Sequence, residues 1–298
     1  MTPKVSICVP AYQHGAFIGQ ALESALAQSF SDVEIVVSDN RSTDNTRDVV
    51  ERFQRRDPRV RYELAPQHVP MQANFNRCLD LARGEYVKFL STDDLLEARC
   101  VERMLGMLEG QPGVKLVACA RRTFGDGTAP ARVLRYARDE VSCAGQVAIR
   151  RCFFLGNLIG EPTAVMFRRA DAQDGFSLRF MQLVDLEMWF RLLEGGEFAY
   201  VPEVLCAIRE HDAQVTRQSV ASGRVTADKE LLFGDFSRKP YLQGSLYERL
   251  LWDFRMAWSA QRERAAGQVR APSDAVYFPG LRAPMTAAAR LAGAIRGF

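Results

Sequence analysis

The sequence has few residues suited to soft-metal sites and no membrane-length apolar run. Only three of its 298 residues are histidines, which argues against a metal centre built mainly from imidazole. Its seven cysteines are scattered and form no C-x-x-C pair, so we expect buried, reduced thiols rather than disulfides or structural zinc. Pro10 and Gly15 interrupt the uncharged stretch at residues 5–22. The sequence therefore predicts neither a signal peptide nor a transmembrane helix, and we expect a cytoplasmic protein.

Neither sign of charge dominates. Lys and Arg number 39 against 36 Asp and Glu, and the net charge of +3 is too small for a protein that mainly neutralises nucleic-acid phosphates. The surplus is local, because residues 261–298 carry six arginines and only two acidic residues. We expect no nucleic-acid partner. For this basic tail we consider a peripheral contact with an anionic membrane surface, at the inner face of the membrane, and the alternative of a terminal helix packed on the domain.

Short apolar runs typical of strands alternate with segments of helical spacing over the first 120 residues. This alternation predicts an α/β fold, a mostly parallel sheet with helices on both faces. The predicted strands are residues 5–9, 33–37, 60–64, 86–90 and 114–120, and the predicted helices are residues 17–28, 44–55, 72–82 and 97–108.

The pattern is less regular after residue 120, and it becomes mainly helical from residue 218 onward. We therefore divide the chain into a domain of residues 1–217, with halves that meet at residue 120, and a helical extension of residues 218–298. Within 121–217 the predicted helices are residues 146–154 and 185–194, and the predicted short strands are residues 163–167, 198–201 and 204–208.

Three polar clusters directly follow predicted strands, at residues 10–15, 38–44 and 91–94. Ligands bind beyond the carboxyl ends of strands in such sheets, so these clusters mark the expected site. In the last cluster Asp93 and Asp94 are adjacent, and two neighbouring carboxylates repel each other unless a divalent cation bridges them to a phosphate. The alternative is that one of them caps the next helix, which needs only one acidic residue. We favour a site for metal and phosphate.

Other polar residues allow two interpretations each. Asp39 and Asn40 suit either a nucleoside contact or an Asx turn before a helix. Asp185 and Glu187 open a predicted helix, where acidic residues complement the helix dipole, although one of them could serve as a general base facing a cleft. On chemistry alone, His211 is a surface residue rather than a metal ligand.

Six segments of the sequence stand in a distinctive order: residues 5–12 (VSICVPAY), 25–30 (ALAQSF), 37–44 (VSDNRSTD), 82–87 (ARGEYV), 91–94 (STDD) and 185–191 (DLEMWFR). Together they resemble the motifs of the inverting nucleotide-sugar glycosyltransferases of family 2. The resemblance covers about the first 215 residues. It implies a GT-A (Rossmann-like) domain in residues 1–217, with a nucleotide-binding half at 1–120 and an acceptor-binding half at 121–217.

The resemblance also implies a donor site. Asp39 corresponds to the first acidic residue of the nucleoside-binding pair, and Asn40 replaces the second with an amide that both donates and accepts hydrogen bonds. The expected donor is a UDP-, GDP- or dTDP-sugar. The residues expected to bind it are Pro10, Ala11, Tyr12, Asp39, Asn40, Asn74, Thr92 and Asp93.

A metal site follows from the same resemblance. Ser91 stands where the family has the first acidic residue of its metal motif, so Asp93 and Asp94 would hold Mg²⁺ or Mn²⁺. His211 corresponds to a late histidine that approaches the metal and the diphosphate, which reverses its interpretation as a surface residue.

Asp185 corresponds to the family's proposed catalytic base. It would remove a proton from an acceptor hydroxyl in a single displacement that inverts the anomeric carbon. The acceptor would be a glycan or a lipid-linked glycan, in the assembly of a surface polysaccharide or another glycoconjugate. Two alternatives remain, a nucleotidyltransferase-like enzyme and a catalytically degenerate member of the family that binds nucleotide or glycan. The residues expected on the acceptor side are Asn157, Glu161 and Glu187.

Overall fold

The structure is a computed structural model that describes residues 2–125, 131–210, 224–265, 267 and 273–296, except for the side chains of residues 291 and 293–296. The strands are β1 (Val5–Ala11), β2 (Val33–Asp39), β3 (Val60–Leu64), β4 (Tyr86–Phe89), β5 (Leu95–Leu96), β6 (Val114–Phe124), β7 (Val133–Leu134), β8 (Val141–Ala144), β9 (Val165–Arg168) and β10 (Glu197–Arg209). The α-helices are α1 (Ile18–Leu26), α2 (Thr46–Arg56), α3 (Met71–Leu81), α4 (Cys100–Gly110), α5 (Gly145–Leu155), α6 (Val184–Glu194), α7 (Arg224–Phe236), α8 (Leu246–Ala265) and α9 (Arg282–Arg296).

The strands form one sheet in the order β3-β2-β1-β4-β9-β6-β10-β5. Outside this order, β7 pairs with β6 and β8 pairs with β10. Strands β3, β2, β1 and β4 run parallel, and β9 lies antiparallel between β4 and β6. Strand β10 is again parallel to β6. Since α-helices connect the parallel strands, the predicted α/β fold with a mostly parallel sheet is confirmed.

The register of the parallel strands brings their carboxyl ends to one edge. At the end of β1, Ala11 pairs with Asp39 of β2. Cys8, three residues before Ala11 in β1, pairs with Phe89 of β4. The apolar strand residues are buried, so the polar residues after Ala11, Asp39 and Phe89 are the first ones free to line a site. This geometry places the three predicted polar clusters beside one another.

The structure corrects two details of the second half. The predicted strands 198–201 and 204–208 are one strand, β10, whose pairing with β6 shifts register between Val201 and Val204. Pro202 lies in this shift, and since proline cannot donate to the ladder the strand bulges there instead of ending. The helix predicted to start at residue 97 begins at Cys100, because Leu95 and Leu96 first pair with β10 as β5.

The C-terminal helices pack on helices of residues 121–217 through aromatic side chains. The Phe153 ring of α5 stacks on Trp252 of α8 at 4.3 Å between centroids, and Phe190 of α6 meets Phe236 of α7 edge-on at 5.3 Å. These residues share one buried apolar cluster with the face of the sheet that includes Phe89. None of the described helices is both long and apolar enough to span a membrane.

Candidate active site

Gln13 joins the loops that follow β1 and β2. Its side-chain amide donates to Thr43 Oγ1 at 2.8 Å, and its carbonyl oxygen accepts from the backbone amides of Thr43 and Asp44. Its φ of 56° lies in the left-handed region that non-glycine residues seldom adopt. The network of hydrogen bonds to the second loop stabilises this conformation and fixes the two loops relative to each other.

Asp39 organises the end of β2. Its carboxylate accepts hydrogen bonds from the backbone amide of Ser42 at 2.8 Å and from the hydroxyl of Tyr62 at 2.7 Å. Burial and the adjacent Asp39 both raise the pKa of Tyr62, so this hydroxyl remains a donor. Asp39 is fully buried, and through these hydrogen bonds it fixes the shape of the loop that follows β2.

Asn40 and Tyr12 lie at the rim of the same end. The Asn40 amide pairs with the backbone of Val69 in both directions, at 2.8 and 2.9 Å. His68 bonds through Nδ1 to the Asn40 carbonyl at 3.1 Å, and its ring lies 4.7 Å from that of Tyr12. Tyr12 is 44% exposed, so this edge presents an aromatic ring to solvent.

The other predicted donor-side residues support these loops. The Asn74 amide exchanges two hydrogen bonds with Ser38, at 2.7 and 3.0 Å. Ala11 is buried at the end of β1, after Pro10, and its carbonyl accepts from the Asn40 backbone amide at 2.8 Å. Asn74 and Ala11 thus hold the carboxyl end of β2 in place through these hydrogen bonds.

The loop at residues 91–94 is held by its neighbours. Thr92 bonds to the imidazole Nδ1 of His14. The carboxylate of Asp94 accepts from Thr163 Oγ1 at 2.6 Å and from the Arg209 backbone amide at 3.0 Å. Burial, and secondly the nearby charge of Asp93, raise the pKa of Asp94 to about 8. Neither aspartate caps α4, because that helix starts six residues after Asp94.

Arg209, at the end of β10, holds the same loop. Its guanidinium donates to the Asp93 carbonyl at 3.0 Å and to Gln20 Oε1 at 2.6 Å, and it lies over the rings of Phe17 and Phe124. The predicted ligand His211 lies outside the described residues.

The described residues suit a cation that binds together with a diphosphate. They contain no cluster of three or more His, Cys, Asp or Glu side chains able to hold a metal by themselves. Asp94 is buried with both oxygens in hydrogen bonds, whereas Asp93 is partly exposed. A hard cation commonly takes one or two carboxylates and completes its shell with phosphate oxygens and water. Asp93 fits this donor set, and the metal prediction stays a prediction.

Asp185 occupies the first turn of α6. One carboxylate oxygen accepts from the Leu186 backbone amide at 2.8 Å, and the other accepts from Asn157 Nδ2 at 3.0 Å. The side chain is 9% exposed, and burial raises its pKa to about 7. A carboxylate with this pKa can take up and release a proton near neutral pH, as a general base requires.

The loop at residues 156–161 holds Asn157 against Asp185. The Asn157 carbonyl oxygen accepts from the Gly160 backbone amide at 2.9 Å. The Gly160 carbonyl accepts from the indole of Trp189 at 3.1 Å, which ties the loop to α6. Gly156 and Gly160 have φ values of 103° and 119°, a region that favours glycine. These two glycines allow the tight loop that Asn157 needs.

The segment at residues 157–163 joins the two acidic regions. Asn157 at its start donates to Asp185, and Thr163 near its end donates to Asp94. Between them Glu161, 42% exposed, pairs with Arg121 at 2.5 Å. After the dominant effect of burial, the charge of Glu161 contributes to the raised pKa of both Asp94 and Asp185. The structure therefore brings the residues 91–94 loop and Asp185 to one region.

Glu187 has a different environment from the one expected. Its two carboxylate oxygens accept from the guanidinium of Arg191, one turn later, at 2.6 and 3.1 Å. The side chain is buried, and Arg191 also donates to the carbonyl of Gly175. In the described structure Glu187 thus forms an ion pair within α6, and its predicted acceptor contact stays a prediction.

Thr163 and Arg209 are site residues that the sequence analysis did not select. Each bonds to Asp94, and Arg209 also bonds to the Asp93 backbone. The sequence held a weak signal for Arg209, because it lies two positions before His211, but Thr163 carries no motif of its own.

Comparison with known proteins identifies the family of this chain. A family model described as Glycosyl transferase family 2 matches residues 6–176. An uncharacterised protein of Mycobacterium tuberculosis is 32% identical over 240 residues, which cover 76% of this chain and 74% of that protein. A chondroitin synthase of Pasteurella multocida is 28% identical over 206 residues, 68% of this chain but only 20% of the synthase.

A solved structure supports the fold. The mannosyltransferase PcManGT of Pyrobaculum calidifontis, in complex with GDP-Man and Mn²⁺, superposes with a TM-score of 0.63 and 16% identity. The superposition covers 100% of this chain and 81% of the mannosyltransferase. The two chains share their fold, with the sheet and the C-terminal helices included.

Proposed function

The chain belongs to glycosyl transferase family 2, and we propose that it transfers a sugar from a nucleotide-diphosphate sugar to an acceptor hydroxyl with inversion of configuration. One observation carries the proposal. A single segment, residues 157–163, binds Asp185 at one end and Asp94 at the other. A proton acceptor and a region suited to a diphosphate therefore lie on the two sides of one short stretch of chain.

We assign the general base to Asp185. An acceptor oxygen attacks the anomeric carbon, and its proton passes to the Asp185 carboxylate as the new C–O bond forms. The bond between the anomeric carbon and the diphosphate oxygen breaks on the opposite face, and the nucleoside diphosphate leaves with the electron pair. Asn157 orients the base through its 3.0 Å hydrogen bond to the carboxylate. The raised pKa of about 7 suits this proton uptake near neutral pH.

We assign the diphosphate to the loop at residues 91–94. Asp93 would hold Mg²⁺ or Mn²⁺ with the diphosphate oxygens, and the cation would stabilise the charge on the leaving group. Asp94 and Thr92 would keep this loop in place through Thr163 and His14. Binding of GDP-Man and Mn²⁺ by the mannosyltransferase of similar fold supports this arrangement.

We place the nucleoside beside Tyr12 and the end of β2. The exposed Tyr12 ring can cover a planar base, and the loops that Asp39 and Asn40 fix surround it. The nucleotide that we propose there is a uridine, guanosine or thymidine diphosphate.

We propose a glycan or lipid-linked glycan as the acceptor, in the synthesis of a surface polysaccharide or another glycoconjugate. The similarity to a chondroitin synthase supports a polysaccharide product, although this chain spans only a fifth of that synthase. A contact of the basic tail with an anionic membrane would bring the enzyme to lipid-linked acceptors. Cosedimentation with anionic vesicles, with and without residues 285–298, tests this contact.

The assay for the proposed function is the release of nucleoside diphosphate. The purified chain is incubated with UDP-, GDP- and dTDP-sugars, Mn²⁺ and a panel of glycan acceptors. We expect turnover with one donor class and an inverted anomeric configuration in the product by NMR. The Asp185→Asn variant should lose roughly 100-fold or more in kcat. Asp171→Asn, which alters an aspartate paired with Lys115, should match the wild type. Full activity of Asp185→Asn would refute the base assignment.

A further inference from the structure

Asp228 of α7 binds the amino-terminal end of α6. One of its carboxylate oxygens accepts from the backbone amides of Met181 at 2.9 Å, Leu183 at 2.8 Å, and Gln182. The side chain is only 2% exposed. Leu183, which precedes the helix, has no side-chain cap, so a residue of another helix satisfies amides at this end. Asp185 follows two positions later.

Arg255 of α8 binds the carboxy-terminal end of α5. Its guanidinium donates to the carbonyls of Phe154 at 2.6 Å and Phe153 at 3.4 Å, where a positive charge also complements the helix dipole. It lies so close to Gly156 that a Cβ there would be 2.8 Å from Arg255 Nη2. The next residue is Asn157, the hydrogen-bond partner of Asp185.

We propose that the C-terminal helices position the catalytic base, with Asp228 and Arg255 as the positioning residues. Asp228 fixes the helix end that carries Asp185, and Arg255 fixes the loop that carries Asn157. Asp185 and Asn157, the two partners of one 3.0 Å hydrogen bond, are thus both held by the C-terminal helices α7 and α8. This inference rests on the proposed function, because it takes Asp185 as the base.

The packing explains why these two contacts act together. Helix α7 meets α6 through Phe236 and Phe190, and α8 meets α5 through Trp252 and Phe153. The Phe233 ring of α7 also lies 5.5 Å from Trp252, so the two C-terminal helices contact each other as well as the domain. A change at either polar contact should therefore alter the hydrogen bond between Asp185 and Asn157. It should leave the structure of residues 33–40, at the end of β2, unchanged.

Hydrogen exchange tests the contacts without relying on activity. In Asp228→Ala, and more weakly in the isosteric Asp228→Asn, the amides of residues 181–186 and 157–160 should exchange about tenfold faster or more. Arg255→Met should have this effect at residues 156–160. Residues 33–40 should keep wild-type rates in all three. The matched control is Asp235→Asn, which removes a carboxylate of the same helix that pairs with Arg179 at the surface. Unchanged exchange at 157–160 and 181–186 would overturn the proposal.

Kinetics then separates positioning from general loss of structure. We expect Asp228→Asn to lower kcat about tenfold, with the KM for the donor within about twofold of wild type. In an Asp185→Asn background the same substitution should lower kcat no further, because it acts through the base. Equal losses in both backgrounds would overturn the positioning role. If the wild type releases nucleoside diphosphate from no donor, the proposed function fails, whereas the exchange experiment still decides whether these helices hold the segment.

Discussion

Substituting Asp185 by asparagine should make the stability of the protein depend on pH in a specific way. Burial raises the pKa of Asp185 from 3.8 to about 7, so the folded state holds a proton that the unfolded chain has already released. The contribution of Asp185 to wild-type stability therefore falls as pH rises from about 4 to about 7, and this contribution is constant above that range. The full pKa difference corresponds to about 4 kcal/mol in the free energy of unfolding.

The substituted amide carries no charge and so has no ionisation cost. It has one acceptor oxygen where the carboxylate has two, so it can accept from either the Leu186 backbone amide or the Asn157 side-chain amide but not from both. The lost hydrogen bond costs about 1 to 3 kcal/mol. The two effects nearly cancel at about pH 5, where part of the ionisation cost is already present in the wild type. At about pH 8 the variant should be the more stable protein by about 2 kcal/mol. The group that supports turnover would thus lower stability at neutral pH.

Urea denaturation of both proteins, at several values between about pH 5 and about pH 8, measures this effect. We expect the difference in unfolding free energy to shift by about 2 to 3 kcal/mol in favour of Asp185→Asn across that range. Asp171→Asn serves as the control, because it removes one carboxylate that pairs with Lys115 at 2.7 Å. A difference between Asp185→Asn and wild type that stays constant with pH would show that Asp185 ionises normally, and the argument for a base near neutral pH would fail.

Three other outcomes follow from the structure. Gly156→Ala should destabilise the fold by about 1 to 3 kcal/mol in urea, through its φ of 103° and the contact with Arg255. Gly267→Ala, with a φ of 83° and no described atom within 4 Å of the added Cβ, gives the backbone effect alone. Six of the seven thiols are buried and Cys143 is partly exposed, so a thiol reagent should label about one cysteine quickly in the native protein, and rapid labelling of several would contradict the packing. Asp93→Asn should raise the Mn²⁺ concentration needed for half-maximal activity about tenfold or more. Asp80→Asn, on α3, is the reference variant. An unchanged Mn²⁺ dependence of Asp93→Asn would show that Asp93 does not bind the metal.

The sequence predicts the sheet and the edge that carries the site, because both depend on local patterns. Buried strands give mainly apolar runs, and a polar cluster follows each of these runs, as at Ser38 and Asp39 and at residues 91–94. The position of β9 between β4 and β6 has no such local signal. Its antiparallel placement is decided by packing between segments that are about 80 residues apart.

The roles within the site were harder to predict for the same reason. Asp94 looks like an open metal ligand in sequence, but Thr163 and the Arg209 backbone, each about 70 residues or more away, use its oxygens. Asn157 was expected on the acceptor side, and its hydrogen bond to Asp185 depends on the fold of a loop. Asp228 carries no motif, because a single acidic residue in a helix is indistinguishable in sequence from a solvent-exposed one.

The strand order has a consequence for the chain as it leaves the ribosome. Strands β1 to β4 are contiguous within the first 89 residues and can pair as soon as they emerge. The free edge of β4 stays unpaired until β9 has been synthesised, and β9 starts 76 residues after β4 ends. During that interval the nascent protein exposes an unpaired β-edge and the apolar surface around Phe89. Slow translation of this stretch should therefore increase the need for chaperones that shield such edges.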